Sequence, residues 1–231
     1  KIPHQLNSVI MALAGAGRIF ELMDQESEID DGKVTLVNAN IDENGNITES
    51  KERTNKWAWK VPNDDGTRKY VELKGYVILE NVSFAYDKEE ILHDISLYAK
   101  PGQKIAIVGP TGAGKTTMVN LLMKFYEINS GDIKIDGVSI KDLTRENIHD
   151  LFTMVLQDTW LFNGTVKENI VYNRKNISDK KVKEICKVVG VDHFIKTLPN
   201  GYDSEISDTD SISAGQRQLL TIARGMIENA P

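Results

Sequence analysis

The stretch Lys104–Thr117, KIAIVGPTGAGKTT, decides how the rest of the chain is read. Within it, Gly109-Pro110-Thr111-Gly112-Ala113-Gly114-Lys115-Thr116 satisfies the pattern G-x-x-x-x-G-K-[ST], with Thr117 directly after it. Glycines at that spacing let the backbone wrap, so that successive N–H groups point inward at phosphate oxygens. A helix opening at Lys115 adds its positive N-terminal end. Lys115 is a point charge on a long stem that reaches β- and γ-phosphates, and the Thr116 hydroxyl is the expected Mg²⁺ ligand. A chance match in a chain of this length has odds of about 1 in 100 on average composition. The flanks agree with the motif. KIAIVG reads as a short apolar strand, and MVNLLMKFYE has the apolar period of a helix.

Taken alone, this loop implies a nucleotide binder and leaves kinases, GTPases, helicases and transport ATPases open. No guanine-reading N-K-x-D follows it: Asn55-Lys56 precedes the loop and continues as Trp57-Ala58. Bulk properties narrow the choice further. The 231 residues carry a formal net charge of -6, with a pI near 5.3. That balance argues against nucleic-acid binding, since phosphate backbones reward clustered Lys and Arg. The single cysteine, Cys186, excludes an internal disulfide and reads as a small buried apolar residue in the helical run KKVKEICKVVG. His4, His93, His149 and His193 show no metal-ligand spacing. There is no signal peptide and no 18-residue apolar run.

Outward from the loop, the chain falls into three parts. Residues 1–24 read as one amphipathic helix, with Ile2, Leu6, Val9, Leu13, Ala16, Phe20 and Met23 near a 3.6 period. Residues 25–75 are polar, with Asn44-Gly45 and Asp65-Gly66 as turn signals. They read as a linker with a small β-rich insert, in which Val34–Val37 and Lys69–Leu73 are strands and Trp57 and Trp59 pin the insert to something apolar. Residues 76–231 are denser. YVILENVSFAY, ILHDISLYAK, GDIKIDG and TMVLQ read as strands, while TRENIHDLF, TVKENIVY, SDKKVKEICKVVG and VDHFIKTL read as helices, with Thr144 and Ser178 as N-caps. Strands alternating with helices, then a helical block, indicate an α/β core (76–157) with a helical subdomain (158–225).

Three further stretches matter together. VSFAY ends in Tyr86 before a turn, TMVLQ ends an apolar run at Gln157, and SISAGQRQLL opens a helix at Ser211–Leu220. In that last stretch, Ser213 and Gln216 have the spacing of a capping box. In this order and with the loop at 109–117, these motifs resemble the ATP-binding cassette family, in particular the nucleotide-binding domain of ABC exporters. The resemblance covers about Tyr76 to Pro231. It extends more loosely to residues 2–23, which look like the cytosolic end of a membrane-domain helix.

The resemblance implies an α/β P-loop NTPase (RecA-like) core, an antiparallel β subdomain and a helical signature subdomain. It implies ATP and Mg²⁺ as cofactors, held by Gly109 to Thr117. Tyr86 would stack on adenine, and Gln157 would complete the Mg²⁺ shell. Asp158 to Gly164 would face the transmembrane domain of the same transporter. Ser213, Gly215 and Gln216 would act in trans, on the γ-phosphate held by a second ABC ATPase domain in a homo- or heterodimer. The chain would sit at the cytoplasmic face of a cell membrane and use ATP hydrolysis to drive transport. Two rivals stand beside this reading: an ATP-binding, hydrolysis-poor regulatory half of a heterodimer, and a soluble ABC ATPase.

Two departures qualify the resemblance. The family's Leu-Ser-Gly-Gly-Gln is Ile212-Ser213-Ala214-Gly215-Gln216 here, a mild apolar swap plus one added methyl. The family's next strand ends in Asp-Glu and is followed by a switch histidine, whereas this chain ends at Asn229-Ala230-Pro231. The fold is therefore expected to be incomplete at the C-terminus and the chain to be a piece of a longer protein. Without the carboxylate that polarises water, it should not hydrolyse ATP by itself.

Overall fold

The computed structural model describes residues 2–28, 30–156, 159–206 and 212–228. The chain divides into two compact units, residues 1–31 and 32–231. The first consists of α1 (Ile2–Met23), one continuous helix as its apolar period predicts. Val9, Leu13, Phe20 and Met23 of that period are all exposed. Among the described residues, no helix is long and apolar enough to cross a membrane.

The second unit opens with a four-stranded antiparallel sheet made of β1 (Thr35–Ile41), β2 (Ile47–Ser50), β3 (Trp57–Pro62) and β4 (Arg68–Glu72), in the order β2-β1-β3-β4. Both strands read from the sequence are present, but they are not neighbours, because β3 lies between them. The two turn glycines, Gly45 and Gly66, each take φ +82°, the left-handed region that favours glycine there. β3 buries two adjacent residues, Ala58 and Trp59, completely. Trp59 packs in one apolar core with Leu79, Phe84, Leu121 and Ile148, so this sheet shares the core of the loop-bearing domain. Hydrogen bonds tie it there as well. The Leu36 N–H donates to Asn147 Oδ1 at 2.8 Å, and those of Lys33 and Val34 both donate to Asp142 O at 2.9 Å.

A second antiparallel sheet follows, in the order β6-β5-β7-β8, from β5 (Val77–Ala85), β6 (Glu90–Ala99), β7 (Ser130–Ile135) and β8 (Val138–Ser139). Against it lie α2 (Lys115–Leu122), through Met118 and Leu121, and α3 (Arg145–Leu151), through Ile148. Thr144 caps α3, its hydroxyl accepting the Asn147 N–H.

The helical block has a core of its own. It contains β9 (Gly164–Thr165), α4 (Val166–Val171), α5 (Asp179–Val189), α6 (Asp192–Thr197), β10 (Glu205–Ile206) and α7 (Ala214–Glu228). Val166, Ile170, Val182, Cys186, Ile195, Leu220 and Ala223 meet there. Ser178 caps α5 as its position suggests, and Cys186 is buried, which pushes its thiol pKa up.

Two expected strands are not formed. Lys104–Gly109 and Thr153–Leu156 carry no ladder pairing to any described residue. An apolar run becomes a strand only when another backbone supplies the hydrogen bonds. Both runs instead expose apolar side chains, most of all Val108 at 87% and Leu156 at 55%. Among the described residues both larger sheets are antiparallel.

Candidate functional site

The loop Gly109–Gly114 runs as a tight turn, closed by the Ala113 N–H donating to Pro110 O at 3.2 Å. Two of its glycines are demanded by the chain itself. Gly112 has φ +86°, and Gly114 has φ +78° with a Cβ position only 2.6 Å from Leu92 Cδ2. Gly114 is also the N-cap of α2 and supplies no side-chain cap. The first-turn N–H groups of α2 are therefore left to other acceptors, which is the arrangement that binds anions. No acidic residue sits in that turn.

Lys115 Nζ donates to Gly109 O at 2.8 Å and to Pro110 O at 2.7 Å. An ammonium has three donors, so one remains for an incoming oxygen while the other two hold the charge against the loop. Lys115 and Thr116 line an open cleft of about 600 Å³, together with Val119, Ile107 and Thr153–Leu156. The donor set fits a nucleotide triphosphate with a hard cation: backbone N–H groups, an ammonium and an exposed threonine hydroxyl. Thr117 is buried, and its hydroxyl accepts from Tyr86 Oη at 3.3 Å.

Tyr86 begins the turn between β5 and β6 and is 49% exposed. Its ring is held nearly perpendicular to those of Phe84 (4.9 Å, 86°) and Tyr126 (4.9 Å, 83°). Tyr126 lies just past α2, in the stretch MKFYE, and was not singled out by sequence reasoning. An aromatic pair directly after the loop helix was the available signal. Gln157 lies outside the described residues, as does Asp158.

At the start of α7 the capping box is present. The Gln216 N–H donates to Ser213 Oγ at 3.2 Å, and the Ser213 N–H donates to Gln216 Oε1 at 3.1 Å. Ser213 is exposed, and its hydroxyl still has its own proton to donate. Among the described residues, nothing lies within 4 Å of a Cβ built on Gly215, and its φ is not positive. No described residue therefore requires glycine at 215.

Behind this helix start, Arg224 of α7 donates from Nε to Asn169 O at 2.8 Å and from Nη2 to Asn169 Oδ1 at 3.2 Å. Its Nη1 also reaches Trp160 O at 3.3 Å. Burial holds the Arg224 pKa below the usual guanidinium value. Asn169 in turn accepts the Phe162 N–H at 3.0 Å and donates to Phe162 O at 2.9 Å. α7 is thereby bolted to the 159–164 segment, which splits in two: Leu161 is core, while Trp160 is 54% exposed.

A glycine loop opening an uncapped helix, with a lysine over it and an aromatic residue beside it, defines a P-loop nucleotide-binding domain. More particularly, residues 92–231 match the family model described as ABC transporter, and the chain belongs to that family. It is similar to the fatty acid ABC transporter ATP-binding/permease protein of Mycobacterium tuberculosis, at 51% identity over 67% of this chain and 25% of that protein. The ATP-dependent lipid A-core flippase of Coxiella burnetii is 42% identical over 74% of this chain and 30% of its own length. A solved bacterial Atm1-family ABC exporter with ATP bound superposes with a TM-score of 0.70 at 32% identity, over 96% of this chain and 34% of that one. The alignments place this chain with exporter-type nucleotide-binding domains, and it spans between a quarter and a third of these proteins' length.

Proposed function

We propose that this chain binds Mg-ATP on Gly109–Thr117, as the ATPase part of an ABC exporter, and that ATP pairs two such domains. The start of α2 carries the first clause: its N-terminus has no side-chain cap, its loop is glycine-built, and Lys115 lies on it. Tyr86 takes the adenine ring, and Thr116 with Gln157 holds the Mg²⁺. When bound, the cation neutralises charge developing on the phosphates. Gly215 supports the second clause, since a glycine that no described residue of its own chain requires suits close approach by a phosphate held on a partner.

The transmembrane domain of the same transporter docks against the Trp160 side of the helical block, which sets the domain at the cytoplasmic face of a cell membrane. Ile107 and Thr153–Leu156 line the same cleft as Lys115 and Thr116, and ATP bound there is hydrolysed to drive transport. Titration calorimetry tests the reading directly. Lys115→Ala should remove Mg-ATP binding while leaving the fold intact, and equal affinity in the two proteins contradicts the assignment.

A further inference from the structure

The base platform and the phosphate loop belong to different segments, the β5–β6 turn and α2, and something must hold them at a fixed separation. Two side-chain contacts tie Tyr86 to the α2 segment: the hydroxyl bond to Thr117 in its first turn and the ring contact with Tyr126 beyond its end. Phe84 and Tyr126 also touch, with centroids 5.7 Å apart, so the three rings close into a cluster. The members differ in burial. Phe84 is 3% exposed and belongs to the core, whereas Tyr126 is 44% exposed. A residue that exposed contributes little to the core, and its ring contacts are with the two aromatics of the base site.

We propose that Tyr126 is a positioning residue for base recognition: it braces the Tyr86 ring beside α2, the helix that opens with Lys115. This rests on the assignment of Gly109–Thr117 as the triphosphate site. Perpendicular aromatic pairs at this spacing favour one orientation without covering the whole ring, so the brace leaves Tyr86 accessible. Tyr126 thereby acts on the base and not on the phosphates.

The test is calorimetric titration of the chain with Mg-ATP and, separately, with Mg and inorganic tripolyphosphate, which has the phosphates but no base. Tyr126→Ala should weaken ATP binding about 3- to 10-fold and leave tripolyphosphate binding unchanged. Tyr126→Phe, which keeps the ring, should restore the ATP affinity. Adding Tyr126→Ala to Tyr86→Ala should cost nothing further. Equal loss for both ligands would make Tyr126 merely structural and overturn the proposal, as would undiminished ATP binding. Lys115→Ala separates the two levels: if it leaves both ligands bound, the triphosphate site itself is wrong and the proposal falls with it. If it removes both while Tyr126→Ala changes neither, only the role of Tyr126 fails.

Discussion

The chain has two glycine-bearing helix starts of similar composition, and they are built on opposite principles. At α2 the cap is Gly114, left-handed and without a capping side chain, so the N–H groups of the first turn stay open. At α7 the cap is Ser213, and a reciprocal pair with Gln216 closes the turn. The glycines follow suit. Gly112 and Gly114 are fixed by positive φ, and Gly114 also by Leu92, while Gly215 meets no described residue. The first start leaves its N–H groups open to an outside acceptor. The second keeps its shape without one and presents a hydroxyl outward.

That contrast can be broken by substitution. The largest effect is expected at Gly114→Ala, where a methyl enters both a left-handed position and the space of Leu92. Strain of about 1–3 kcal/mol should appear in chemical denaturation, with Mg-ATP binding lost alongside it. A variant as stable and as competent as the parent would show that the loop geometry is not required. A smaller effect belongs to Ser213→Ala, which removes the cap of α7 and should cost about 1 kcal/mol of stability with ATP affinity unaltered. If ATP affinity falls with it, α7 contributes to this chain's own site and the contrast is false.

The same contrast shows what sequence could and could not convey. Caps and glycine loops are local, so Gly109–Thr116, Thr144, Ser178 and the Ser213–Gln216 pair were legible from spacing alone. Pairing is not local. Val34–Val37 and Lys69–Leu73 read correctly as strands, yet nothing in either run says that β3 separates them. Trp59 was read as an anchor, but only the structure shows that it joins the first sheet to the core of the loop domain. KIAIVG and TMVLQ have the composition of buried strands, and strand formation waits on a backbone neighbour that no described residue provides. Tyr126 was overlooked for a related reason. An aromatic after a helix reads as core, and its part in the base site depends on where a distant turn places Tyr86.

The signature at Ser213–Gln216 is proposed to serve a phosphate on another molecule. The most direct measurement is the Mg-ATP affinity of Gly215→Asp, taken at dilution, where both it and the parent are monomers. The site is open, and an acidic residue in the first turn of a helix suits its dipole, so the fold should tolerate the change. The affinity should equal the parent's, because the added charge opposes only a partner's nucleotide. A loss approaching that of Lys115→Ala would contradict it, and would place the signature at this chain's own phosphate loop.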